Sequence, residues 1–433
     1  MKFSELVNQK NIKKSFVHIE NYGVRAFFHK AKTKIFGMKD SAACSVVSRS
    51  QDFLMIDSKE EKLAKAYIES VVKDPDTFVD LINPDDEMYI FTRDNMAQKE
   101  TASYHYFEVG RECFKSIEHI MDSGGKSFEG IRSFLDFASG YGRVTRFLIQ
   151  AVEQGKVWVS DIYRGAVDFQ KKYFRVNGFY SENDPSKLQF PERFEIIYVG
   201  SLFSHLPANR FRDWLSRLYE VVKDDGMLIF STHGEWLRPE GVQMGPSGCS
   251  FFGQSESRSL STDEYGCTYV TREWVESLAD ELGINHIYFL ERGLCEHQDI
   301  YIATKMDFPS LNNLETENYT KGSIDAVHMS PDGGIHILGW AIDKASGAPV
   351  REVFLFMNRE MLGSAVLGLQ RPDVAEHFKR SDCLNSGWEY RGSGSLLRNV
   401  MSTGGAKFIV IKALIKNHKG DVTCLVSAYE GIQ

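Results

Sequence analysis

Residues Ser133 to Leu148 read SFLDFASGYGRVTRFL, and this stretch decides the fold class. Phe134 and Leu135 close a buried apolar strand. Asp136 follows, then the turn Phe137-Ala138-Ser139-Gly140-Tyr141-Gly142, then a helix expected over Gly142–Gln154. A strand, a glycine-rich turn and a helix make the nucleotide-binding half of an α/β sheet. Glycines at 140 and 142 let the backbone turn sharply and approach a ligand with no Cβ in the way. The carboxylate of Asp136, just before the turn, repels a phosphate. It suits a cationic ligand such as a sulfonium or an amino-acid ammonium.

Working outward, Lys156–Asp161 (KVWVSD) is a second strand ending in an acid, about 20 residues beyond the glycines, the spacing that ribose-hydroxyl recognition needs. Phe194–Val199 (FEIIYV) is another buried strand, followed by Gly200-Ser201-Leu202-Phe203-Ser204-His205-Leu206. A helix over Asn209–Val222, a turn at Lys223–Gly226 and a strand over Met227–Ser231 come next. The acid followed by G-x-G, with the segments after it, resembles class I S-adenosylmethionine-dependent methyltransferases over roughly residues 100 to 305. The resemblance implies a seven-stranded Rossmann-like α/β sheet in which one strand runs against the rest.

The totals set outer bounds. A chain of 433 residues fits two or three domains. Hydrophobic content of 42% and charged content of 25% are ordinary for a globular protein. A net charge of −8 gives no general affinity for nucleic acid. A local exception is the set Lys10, Lys13, Lys14, Arg25, Lys30, Lys32, Lys34 and Lys39, interleaved with Phe16, Tyr22, Phe27, Phe28 and Phe36. It reads either as a solvated face or as a contact for a glycan, a glycan-assembly partner or a membrane surface. No stretch reaches the ~18–20 apolar residues of a membrane span. MKFSELVNQKNIKKSF lacks the apolar core of a signal peptide. The seven cysteines are scattered, with no C-x-x-C pair. These features together lead us to expect reduced thiols and a cytoplasmic location.

Four regions are expected: residues 1–100 as a helical or irregular extension, 101–305 as the methyltransferase domain, 306–321 as a polar linker, and 322–433 as an all-β, sandwich-like accessory domain. In the extension, apolar spacing predicts a helix over Glu60–Val72, broken by Asp74-Pro75-Asp76, and a short turn of helix is expected after it at Thr77–Ile82. Tyr104–Met121 is a second helix, of the kind that lids the cofactor in the family resembled. Beyond the first strand we expect strands at Val157–Ser160, Phe179–Ser181 and Glu195–Val199, helices at Arg164–Phe174 and Arg272–Leu282, and an antiparallel hairpin of Ile284–Glu291 with Asp299–Lys305. In the C-terminal region, strand-like runs at Ile335–Ala341, Val353–Asn358, Phe408–Lys416 and Thr423–Ala428 alternate with turn signals. GWAID at 339–343 and RPDVA at 371–375 resemble a small all-β module appended to bacterial glycan-synthesis proteins.

The methyltransferase resemblance assigns cofactor roles for S-adenosyl-L-methionine. Asp136 orients the turn and the methionine end, and Ala138, Gly140 and Gly142 shape the turn. Asp161 takes the ribose hydroxyls, and Ile162 packs on the adenine. Asn183 or Asp184 meets the adenine amino group, and Gly200 lies at the end of strand four. For proton removal, topology alone brings His205, His233, His297 and Asp299 to the carboxyl edge of the sheet, where ligands sit. His233 is the first choice of base, because THG at a strand end exposes it. Competing readings are a loop-backbone hydrogen bond for His205 and a hairpin cap for His297. The spacing gives no metal-ligand motif. Between Glu235 and Val270, Trp236, Phe251, Phe252, Tyr265 and Tyr269 stand among many Gly and Ser residues. These aromatics offer stacking for a flat acceptor or plug the domain edge. The expected reaction is methylation of an oxygen on a small-molecule or glycan acceptor, such as a sugar hydroxyl in bacterial surface-glycan or glycolipid assembly. The alternatives are N- or C-methylation of a small metabolite, or a cofactor-binding scaffold without turnover.

Overall fold

The computed structural model describes residues 58–96, 99–239, 243–253, 263–316, 319–330, 334–392 and 408–430. The basic and aromatic set between Lys10 and Lys39 lies outside the described residues.

The central sheet is built from β1 (Phe134–Phe137), β2 (Val157–Asp161), β3 (Asn177–Tyr180), β4 (Phe194–Val199), β5 (Val222–Gly234), β8 (His286–Leu294) and β9 (Gln298–Thr304). Their order is β3-β2-β1-β4-β5-β9-β8, parallel except for β9, which runs against both of its neighbours. All residues of β1 and β4 are buried, as expected for central strands covered on both faces. Alternate side chains divide between two cores. Phe134, Ile196 and Ile229 meet α3 (Ala102–Ser123) and α5 (Arg164–Phe174). Leu135, Ile197 and Phe230 meet α6 (Ala208–Glu220) and α7 (Arg272–Glu281). Strand order reverses between β1 and β4, so the ligand crevice of an open α/β sheet falls above Asp136.

Two local expectations fail. The helix expected over Gly142–Gln154 is regular only as α4 (Thr145–Leu148). The turn expected at Thr77–Ile82 is not helical. The fully buried Arg146 guanidinium donates to the Val79 and Leu81 carbonyls at 2.9 and 3.1 Å, and lies about 5 Å from the ring centres of Tyr106, Phe107 and Phe174. Carbonyls held by Arg146 hold the 79–81 segment extended against the domain. A helix that periodicity did not reveal, α2 (Glu87–Asn95), follows. Asp86 caps it, accepting from the Met88 and Tyr89 amides at 3.0 and 3.1 Å. The Glu235–Val270 stretch is also more ordered than expected: β6 (Cys249–Phe252) pairs antiparallel with β7 (Cys267–Val270), and β7 extends the end of β5, placing Tyr269 beside His233.

The C-terminal region forms two four-stranded antiparallel sheets. One has the order β10 (Thr320–Met329), β11 (Ile335–Asp343), β15 (Gly387–Gly392), β14 (Val366–Leu369). The other runs β13 (Glu360–Ser364), β12 (Glu352–Met357), β16 (Phe408–Lys416), β17 (Val422–Glu430). Their inner faces share a core containing Ile337, Leu355, Trp388 and Ile411. Both quoted motifs have structural work here. A Cβ on Gly339 would lie 2.2 Å from the Trp388 ring, so only glycine lets the indole pass. Asp343 accepts from the Ala345 and Ser346 amides at 3.1 and 2.8 Å, closing the turn. Arg371 is buried and bonds Asp325 and Asp373, each at 2.6 Å.

The sandwich packs on the N-terminal helices. Leu63 and Tyr67 of α1 (Ser58–Val71) share one core with Val410, Cys424 and Val426. Leu311, in the segment read as a linker, is buried in the core beneath the central sheet. Leu63→Ala is therefore expected to cost about 2–5 kcal/mol, read as a lower denaturant midpoint. An unchanged midpoint would mean that this seam contributes nothing to stability.

Candidate active site

The turn after β1 is fixed from several sides. Ala138, Gly140 and Gly142 have φ of 58, 53 and 79°, in the left-handed region. A Cβ on Gly142 would lie 2.2 Å from Phe174 and 2.6 Å from Gln170, so the glycine serves packing as well as conformation. Nothing within 4 Å would meet a Cβ on Gly140, which instead faces the cavity. Gln170 donates to the Ser139 hydroxyl and the Gly140 carbonyl, both at 2.8 Å. Gly142→Ala is expected to lower stability by about 1–3 kcal/mol through overpacking and left-handed strain. A thermal melt matching the parent would contradict that geometry.

Asp161 accepts from the Gly140 amide at 2.8 Å and the Tyr163 amide at 2.9 Å, tying the turn to the end of β2. Asp136 accepts from the Thr145 hydroxyl at 2.7 Å. Burial pushes the Asp136 carboxyl up to about 7 and the Asp161 carboxyl up to about 6. Among the described residues neither has an ion-pair partner. Two buried acids on the wall of one cavity, beside a backbone with open space at Gly140, fit a cationic nucleoside ligand. Ile162 and Asn183 line the cavity as well. Asp184 is placed differently: it accepts from the Ser186 amide at 3.1 Å and caps a short 3-10 turn, so of the two candidates Asn183 is the one on the wall. A Cβ on Gly200 would fall 2.7 Å from the Tyr198 hydroxyl, so the glycine makes room for that phenol.

The cavity continues past the end of β4, and His205, His233 and His297 all line it. Their rings form a row, His205 to His233 at 5.9 Å and His233 to His297 at 5.8 Å between centres. His233 stacks on Tyr269 at 5.5 Å, and His205 stacks on Tyr265 at 4.7 Å. His205 Nδ1 donates to the Gly266 carbonyl at 2.7 Å, so Nε2 is the acceptor. Burial drives its pKa down to about 4, which keeps the ring neutral. The loop-backbone reading of His205 therefore holds for one nitrogen while the ring still faces the cavity. Asp299 is not on the cavity wall. It accepts from the Arg292 amide at 2.8 Å and lies close behind Gly234, with burial raising its pKa. Its place behind the end of β5 makes it a support for the strand end, in contrast to the role expected of it.

Several lining residues were not singled out from the sequence. Gln298 Oε1 accepts from the Ser231 hydroxyl at 2.6 Å and the Ser201 hydroxyl at 3.2 Å, joining the ends of β4, β5 and β9. Glu87 and Met88 come from α2, and Cys113 and Cys295 from α3 and the β8–β9 turn. No sequence pattern marks them, because their place on the wall comes from packing between elements. Among the described residues no group of three or more His, Cys, Asp or Glu side chains is arranged to hold a metal ion. Likewise, no helix is long and apolar enough to cross a membrane.

A family model described as a methyltransferase domain matches residues 134–226, which span β1 to the start of β5. The central domain is an S-adenosylmethionine-dependent methyltransferase of class I. No curated protein matches the chain significantly. Solved structures similar to it include an S-adenosylmethionine-dependent methyltransferase from Clostridium acetobutylicum, 13% identical over 45% of this chain and 91% of that one, with a TM-score of 0.33. DesVI from Streptomyces venezuelae is 12% identical over 47% and 97% of the two chains, with a TM-score of 0.34. Magnesium protoporphyrin IX methyltransferase from Synechocystis, with S-adenosylmethionine bound, is 16% identical over 46% and 81%, with a TM-score of 0.31. In the methyltransferase described here, Asp136, Gly140, Asp161, Ile162 and Asn183 all line the one cavity.

Proposed function

We propose that the methyltransferase acts on an oxygen of a hydroxyl-bearing small molecule or glycan, with His233 as the base. The observation that carries this reading is the row of three imidazoles at the end of the cavity beyond the glycine turn. S-adenosylmethionine supplies a methyl group that is already activated. What remains for the chain is to align the acceptor, exclude water and accept a proton. His205, held neutral with Nε2 as acceptor, orients a hydroxyl by hydrogen bonding. His233, at the end of β5 and held by the Tyr269 ring, accepts the proton. His297 closes the row from the start of β9.

The Tyr265 ring, stacked on His205, lines the cavity together with Arg210, Glu264 and Gln298. A flat ring edged by several hydrogen-bonding groups favours a polyhydroxylated acceptor such as a sugar over an apolar one. The sugar-hydroxyl reading in surface-glycan assembly is one instance of that class. The test is to incubate the protein with methyl-labelled S-adenosylmethionine and either cell-envelope or small-metabolite fractions, then to identify the bond formed. A methyl ether on a carbohydrate is the expected product. Label found only on nitrogen or carbon overturns the reading, and no label in any fraction favours a scaffold.

A further inference from the structure

Two cysteines from distant parts of the chain meet in the wall of the same cavity. Cys113 on α3 and Cys295 in the β8–β9 turn have their sulfurs 3.6 Å apart, and both are free thiols. A disulfide needs ~2.05 Å, so closure requires a shift of only about 1.5 Å. The turn Leu294-Cys295-Glu296-His297 holds Cys295 in place. It is closed by His297 N donating to the Leu294 carbonyl at 2.9 Å, with φ of 53 and 55° at Cys295 and Glu296. Both central residues are non-glycine in the left-handed region, a conformation that costs free energy and persists at functional sites. Tyr319 and Lys321, at the entry to the sandwich, both bond Glu296 in this turn.

We propose that Cys113 and Cys295 form a reversible regulatory dithiol, whose oxidation by a peroxide switches the methyltransferase down. The Cys113 thiolate attacks one peroxide oxygen, the O–O bond breaks, and a sulfenic acid forms with release of water. The Cys295 thiol then attacks that sulfur, gives up its proton, and a second water leaves as the disulfide closes. Two thiols and one hydrogen peroxide thus become one disulfide and two waters. The hydrogen bond between the two thiols, with Arg143 nearby, holds Cys113 below the usual thiol range, which favours it as the attacking partner. Closing the bond pulls on the turn that carries His297 and on Gln298, the residue joining the ends of β4, β5 and β9. A shift of that size in a group facing the acceptor costs roughly 10- to 100-fold in rate.

The effect on turnover rests on the proposed role of the histidine row, whereas the linkage itself does not. The full chain is treated with hydrogen peroxide, with and without S-adenosylhomocysteine, and mapped by non-reducing peptide mass spectrometry. The expected result is a Cys113–Cys295 linked peptide that disappears with dithiothreitol and forms more slowly when the ligand fills the cavity. In parallel, methyl transfer is compared in oxidised and re-reduced protein, for the parent and for Cys113→Ser and Cys295→Ser. The parent should lose roughly 10- to 100-fold on oxidation and recover on reduction, while each variant's oxidised-to-reduced ratio should stay near one. Absence of the linked peptide overturns the dithiol. A linked peptide with unchanged turnover overturns the switch. If no acceptor is turned over at all, the peptide map still decides whether the dithiol exists, and calorimetry with S-adenosylhomocysteine on oxidised protein replaces turnover as the readout, unchanged affinity counting against the switch.

Discussion

Asp161→Ala is expected to weaken S-adenosylhomocysteine binding about 100-fold, since two charge-assisted hydrogen bonds at ~1.5 kcal/mol each are lost. The loss has a second part within the protein. Asp161 accepts from the amides of Gly140 and Tyr163, so its removal also releases the glycine turn from the end of β2. Asp161→Asn keeps one acceptor oxygen and the side-chain shape, and should lie between parent and alanine. Titration calorimetry decides the matter, and parent-like affinity in the alanine variant removes Asp161 from the ribose role.

Cofactor affinity should also depend on pH. Burial raises Asp136 to about 7 and Asp161 to about 6 in the ligand-free protein, whereas a cationic ligand favours their ionised forms. Binding should therefore release protons and strengthen as pH rises from about 5.5 to about 8. Without ligand the sign for stability is opposite. The folded state keeps protons that unfolded carboxyls give up near ~3.9. The contribution is thus fully present below that value and is lost as pH rises through about 6 and then about 7. S-adenosylmethionine, which carries the sulfonium, should raise the melting temperature more at the alkaline end of this range than at the acid end. An equal rise at both ends would mean that neither acid changes protonation on binding.

His233→Ala should lower turnover by about 10²- to 10⁴-fold, the usual contribution of a positioned base. Its affinity for S-adenosylhomocysteine should be nearly that of the parent, because His233 stands at the end of β5 and not on the glycine turn. A histidine base works only as the neutral ring, so parent turnover should fall toward acid pH. His205 supplies the contrast. Its ring stays neutral down to about 4, so His205→Ala should change acceptor KM more than the shape of the pH profile. If His233→Ala keeps full turnover while the alanine variant of His205 or His297 loses it, the base is that residue. If all three retain turnover, the acceptor gives its proton to solvent.

What local chemistry dictates was legible in the sequence. The run FLDF, the positive-φ glycines, and an acid about twenty residues on each obey rules that act within a few residues, so the parallel sheet and its cofactor edge could be read directly. Topology then placed three histidines on one rim, because strand direction alone decides which loop ends share an edge. Tertiary structure decided the rest. Arg146 stays in the one regular helical turn of its stretch, yet its guanidinium donates to the Val79 and Leu81 carbonyls some 65 residues away, a pairing that no local pattern encodes. Asp299 looks like a partner for the histidines by position, but the Arg292 amide and the crowded back of Gly234 hold it off the cavity wall. The Cys113–Cys295 approach joins residues 182 apart in sequence, and no periodicity or motif encodes such a pairing. Strand order and edge follow from patterns within each segment, whereas side-chain contacts between segments depend on how the packed cores bring them together.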